Sequence, residues 1–124
     1  MSVIDRWIPV CEVEDLVDNS GVCALVDEQQ IAIFKVKTPE ETKVLAISNW
    51  DPFGQANVLY RGLIASTAAQ GDAQNDGQRY VLASPLYKQR FCLATGECLD
   101  DQSKSITAYP TRIVGSTVQL GVVA

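Results

Sequence analysis

Histidine is absent from all 124 residues, and that gap removes much of the usual chemistry. Without an imidazole there is no histidine general base, no Ser-His-Asp triad and no histidine metal ligand. No Gly-rich phosphate loop follows a strand-like segment. The four cysteines, Cys11, Cys23, Cys92 and Cys98, include no Cys-x-x-Cys pair, which argues against a four-cysteine zinc or iron site. No apolar run approaches the ~20 residues that a membrane helix needs. The first seven residues carry Asp5 and no apolar signal core, so the expected location is the cytoplasm, with reduced, mostly buried thiols. A net charge of -5 speaks against a nucleic-acid partner, because a polyanion is met by a basic face.

What is present fits one domain. The length and the 47% apolar content allow a hydrophobic core without disulfides or metal. Charge is spread unevenly. Residues 1–28 hold seven acids (Asp5, Glu12, Glu14, Asp15, Asp18, Asp27, Glu28) against Arg6 alone, whereas residues 61–90 hold Arg61, Arg79, Lys88 and Arg90 against Asp72 and Asp76. The basic segment is read as either a solvated face or a polar partner interface.

Short apolar runs separated by turn residues predict many short strands. These are Trp7–Cys11, Val22–Val26, Ile31–Val36, Val44–Ser48, Leu63–Ala65, Tyr80–Ala83, Gln89–Leu93, Glu97–Leu99, Ser105–Tyr109, Thr111–Val114 and Val118–Val122. The second and third form a predicted hairpin around Asp27–Gln30, and Val118, Leu120 and Val122 alternate with Gln119 and Gly121 to give one buried face. A short helix is expected over Cys11–Val17, and the polar stretch Gln70–Gln78 reads as a mobile loop. The expected fold class is all-β, an antiparallel sandwich.

Two segments carry more information: Ala46-Ile47-Ser48-Asn49-Trp50-Asp51-Pro52-Phe53 and Ala83-Ser84-Pro85-Leu86-Tyr87-Lys88-Gln89-Arg90-Phe91, the latter running on to Thr95-Gly96. Each puts a proline at a loop tip just after a strand. The pattern resembles a Rieske domain, in which Cys-Pro-His and Cys-Pro-x-His-Gly loops clamp a [2Fe–2S] cluster with two thiolates and two imidazoles. Pro52, Pro85, Phe91, Thr95 and Gly96 match that scaffold, while Asp51, Phe53, Ser84 and Tyr87 stand at the ligand places. Phenylalanine has no donor atom, and neutral hydroxyls are poor substitutes for thiolate and imidazole.

The chain closely resembles a family with that degeneracy, the small subunits of assimilatory NAD(P)H-dependent nitrite reductase. The matching residues are Trp7 to Cys11, Asp51 to Phe53, Asn57 to Leu59, Arg61 to Ile64, Ser84 to Gln89, Thr95-Gly96 and Cys98 to Asp101. The stretch 66–78 departs from the family by its length. The resemblance implies a Rieske-like sandwich with an inserted loop-bearing subdomain at about 46–99. It implies no cofactor in this chain. It also implies a partner, the large catalytic subunit with flavin, siroheme and an iron–sulfur cluster, which this chain would support in reducing nitrite to ammonia.

Trp50, Phe53, Tyr87, Lys88 and Arg90 are the candidate partner-binding residues, since aromatic and arginine side chains dominate interface energetics. Each also has a plainer reading, a turn at Asp51-Pro52 or a solvated strand end at Tyr87–Arg90. Arg61 is expected to pair with an acid, and Asp100-Asp101 to face solvent. Two alternative functions remain at this point. One is a Rieske-type electron-transfer ferredoxin. The other is a thiol-based regulator, in which Cys92 and Cys98 face each other across the Thr95-Gly96 hairpin.

Overall fold

A computed structural model describes residues 6–39, 42–68, 78–86 and 88–122. Its strands are β1 (Arg6–Glu12), β2 (Ser20–Val26), β3 (Gln29–Lys37), β4 (Thr42–Ser48), β5 (Trp50–Asp51), β6 (Ala56–Asn57), β7 (Leu63–Ala68), β8 (Gln78–Ala83), β9 (Arg90–Cys92), β10 (Ala108–Tyr109), β11 (Thr111–Val114) and β12 (Thr117–Val122). They form sheets in the orders β1-β12-β11, β10-β4-β3-β2, β5-β6 and β7-β8-β9. Every pairing between these strands is antiparallel. No helix among the described residues is long and apolar enough to cross a membrane.

The β10-β4-β3-β2 sheet is the middle layer, and the sequence of β3 shows why. Its residues are apolar on both faces, Gln-Gln-Ile-Ala-Ile-Phe-Lys-Val-Lys, so it cannot show an apolar-polar alternation. Ile31 and Ile33 point one way, with Val26, Val44 and Ala46, against Val118 and Leu120 of β12. Ala32, Phe34 and Val36 point the other way, with Ile47, against Leu59, Leu82, Phe91, Leu93 and Cys98. Two clusters thus share one sheet, and each fully buried Leu, Ile or Phe contributes roughly 1.5–3 kcal/mol. Thr111 Oγ1 donates to the Val44 carbonyl at 2.5 Å, tying the end of β11 to the middle sheet.

Local chemistry adjusts several expected boundaries. The β2–β3 hairpin closes on only Asp27 and Glu28, both left-handed at φ 49 and 68, so the turn is of the primed kind that follows strand twist. The expected helix over 11–17 is a single 3-10 turn, Val13–Asp15, because Glu12 belongs to β1 and Asp15 Oδ2 accepts the Glu12 N–H at 3.0 Å. Glu97–Leu99 contributes one bridge, Cys98 to Phe91, in place of a strand. Only Ala108 and Tyr109 of the expected strand Ser105–Tyr109 pair with β4, since Gln102–Lys104 makes a 3-10 turn capped by Asp101. Strands β7 and β8 reach Ala68 and Gln78, further than expected, and 69–77 lies outside the described residues.

Candidate functional site

The two proline segments meet. The first runs from β4 through Asn49 to the β5-β6 ribbon, and the second joins β8 to β9. Asp51 is fully buried and Ser84 is 1% exposed. Ser84 Oγ donates a short hydrogen bond to Asp51 Oδ2, so the two proline segments are joined directly. The other carboxylate oxygen of Asp51 accepts the amides of Phe53 at 2.8 Å and Gly54 at 3.2 Å. The Leu86 side chain of the second loop lies over Gly54 of the first, and a Cβ on Gly54 would displace its Cδ1.

The loops are built alike. Asp51 and Ser84 each precede a proline, and each side-chain oxygen accepts the amide two residues on, from Phe53 at 2.8 Å and from Leu86 at 3.2 Å. The carbonyl of each accepts the amide four residues on, from Gln55 at 2.7 Å and from Lys88 at 3.1 Å. That fourth residue is left-handed in both loops, φ 53 at Gln55 and 65 at Lys88. A non-glycine residue there costs roughly 1 kcal/mol or more and persists only where its surroundings fix it.

Asn49 supports the first loop from below and was not singled out by sequence reasoning. It is fully buried, its Oδ1 accepts the Tyr60 amide at 2.8 Å and its carbonyl accepts the Leu59 amide at 3.2 Å. Its Nδ2 donates to Gln30 Oε1 at 3.2 Å and lies 3.5 Å from Cys23 Sγ. The signal available in the sequence was an amide residue ending an apolar strand, which must satisfy its polar atoms if buried. Leu86, 46% exposed over Gly54, was also missed.

The expected partner-binding residues separate into different environments. Trp50 is 42% exposed beside buried Asp51. Phe53 turns inward, half-buried against the core, with its ring 6.3 Å from that of Phe91 at 58°. Lys88 and Arg90 are exposed, and Arg90 pairs with Asp100 at 3.0 Å. The hydrogen bond between them holds the Asp100 carboxyl below its usual range and raises the Arg90 guanidinium. Tyr87 lies outside the described residues. Arg61 stacks on its neighbour Tyr60, with Nε donating to the phenol oxygen at 2.9 Å, where an acid had been expected.

These side chains do not fit a [2Fe–2S] cluster. Phe53 offers no donor and faces the core, and Asp51 and Ser84 spend their oxygens on each other and on loop amides. A ferredoxin reading needs four soft or imidazole ligands at these places. The thiol pairing fails on register. Cys98 lies opposite Phe91, and both belong to the same core cluster, whereas Cys92 is one residue along and so faces the other side of the strand. Both thiols are buried, Cys11 is half-buried and Cys23 is exposed; partial burial pushes the Cys11 and Cys23 thiols above their usual value.

Known proteins resemble this chain in sequence and fold. Residues 6–121 match the family described as Rieske-like [2Fe-2S] domain. The nitrite reductase (NADH) small subunit of Escherichia coli K12 is 40% identical over 117 residues, which cover 94% of this chain and 98% of that protein. A crystal structure described as an NADH-dependent nitrite reductase small subunit from Mycobacterium tuberculosis superposes with a TM-score of 0.78 at 32% identity, covering 100% of this chain and 98% of that one. A third relative differs in kind. The nitrite reductase [NAD(P)H] large subunit of Klebsiella oxytoca is 33% identical over 115 residues, 93% of this chain but 11% of that protein.

Proposed function

Because the chain belongs to the nitrite reductase small-subunit family, within the Rieske-like domains, we propose that it is the cluster-free partner of the large subunit of an NAD(P)H nitrite reductase. It works in the cytoplasm and supports the reduction of nitrite to ammonia without carrying electrons itself. The observation that carries this reading is the end-to-end match, 94% of this chain against 98% of a protein named as that small subunit. The Klebsiella oxytoca relative supports the partnership: there a stretch like this chain is part of a protein named as the large subunit. Flavin, siroheme and iron–sulfur chemistry belong to the partner in this reading.

The cluster-free part rests on donor chemistry, since an aspartate–serine pair and a phenylalanine replace sulfur and imidazole. The contact face is the loop tip with Trp50, Leu86, Lys88 and Arg90, while Phe53 fixes it from beneath. Association and nitrite-dependent NAD(P)H oxidation are measured with both purified subunits. Saturable binding and a rise in turnover on adding this chain are expected. A large subunit with full turnover, indifferent to the chain, overturns the proposal.

A further inference from the structure

We propose that the Asp51–Ser84 hydrogen bond is the cross-link standing in for the cluster: it joins the two proline turns into one unit and makes both residues positioning residues for the face presented to the large subunit. Only the last step rests on the function proposed above. A Rieske cluster ties its two loops together by taking ligands from each. Here the same two places are tied by a buried carboxylate and hydroxyl, and the proline that follows each donates no amide of its own.

Three features point to a tie kept for its geometry. The loops retain matching five-residue turns, Asp51 to Gln55 and Ser84 to Lys88, with the same amide-to-carbonyl bond across each. Both retain a left-handed fourth residue although neither is glycine. Ser84 Oγ also accepts the Leu86 amide, so one hydroxyl sets the second turn and donates into the first, while Asp51 does the reverse with Phe53 and Gly54. Each turn is closed by its own amide bonds, and the Ser84 Oγ–Asp51 Oδ2 bond joins the two side chains on which those bonds end.

The test is amide hydrogen exchange on the full chain with Ser84→Ala, a small change that leaves the first loop's sequence intact. Exchange at Phe53, Gly54 and Gln55, in the other loop, is expected to speed up at least about tenfold, with β3 and β4 unchanged. First-loop amides that keep wild-type rates while Leu86 alone changes overturn the cross-link. The same variant is then titrated against the purified large subunit. Binding weakened about fivefold or more with an intact core supports the positioning role. Wild-type affinity with loosened loops overturns it. A wild-type chain that fails to bind sinks the proposed partnership, while the exchange result still decides the cross-link.

Discussion

Replacing Asp51 by alanine tests how much the fold depends on this one carboxylate. The change strands three donors: the Phe53 amide at 2.8 Å, the Gly54 amide at 3.2 Å and the Ser84 hydroxyl. Leaving a buried donor unsatisfied costs about 1–3 kcal/mol. Both amides sit in half-buried turns where water can enter, so each is taken at the low end; only the Ser84 hydroxyl is sealed from solvent. The expected loss is ~3 kcal/mol, a large share of the 5–15 kcal/mol typical of a small domain. For a chain of this length it corresponds to a fall in Tm of about 10 °C. Urea unfolding followed by far-ultraviolet circular dichroism measures it. Asp51→Asn is the control, because its Oδ1 still accepts both amides and its Nδ2 can donate toward Ser84 Oγ; it is expected to lose less than half as much. A loss under ~1 kcal/mol for alanine, or equal losses for the two variants, refutes the assigned role.

Gly96→Ala should destabilise the chain by roughly 1–3 kcal/mol, since φ is +79 there and a Cβ would strike the Ile106 carbonyl; unfolding at wild-type denaturant concentration counts against this packing. Mild oxidant should leave Cys92 and Cys98 unlinked, and an alkylating reagent should label Cys23 first; a Cys92–Cys98 disulfide in peptide mass analysis contradicts the register. Asp100 has its pKa lowered chiefly by the Arg90 hydrogen bond, so its stabilisation is complete above the ordinary carboxylate value and is lost as pH falls below about 4. Asp100→Asn should therefore flatten the acid limb of the stability–pH curve, and a superimposable curve refutes the pairing. Trp50→Ala should weaken association with the large subunit by about 1–2 kcal/mol without changing Tm, as isothermal titration would show; unchanged affinity removes Trp50 from the interface.

Much of this fold was legible because turn chemistry and alternation are local. Val118, Leu120 and Val122 gave β12 its face, and the prolines at 52 and 85 gave both loops their places. The order of motifs from Trp7 to Asp101 was enough to indicate the family. What was hidden depends on contacts between distant residues. Asp51 and Ser84 were read as standing at ligand places, yet nothing in either segment says that they bond each other across 33 positions. Burial of Asn49 follows from Gln30 and Tyr60, remote in sequence. The Cys92–Cys98 pairing failed for a smaller reason: a shift of one residue across a hairpin moves a side chain to the opposite face. The helix expected over 11–17 lost to β1, whose pairing with β12 runs through Cys11 and Glu12.

We propose that the Asp51–Ser84 bond holds this Rieske-like scaffold together in place of a cluster. Anaerobic reconstitution with iron and sulfide, followed by visible absorption and electron paramagnetic resonance, tests it most directly. The expected result is a chain that stays folded and colourless, with no signal beyond the buffer. A Rieske-type spectrum with iron and sulfide bound in the ratio of a [2Fe–2S] cluster would contradict it.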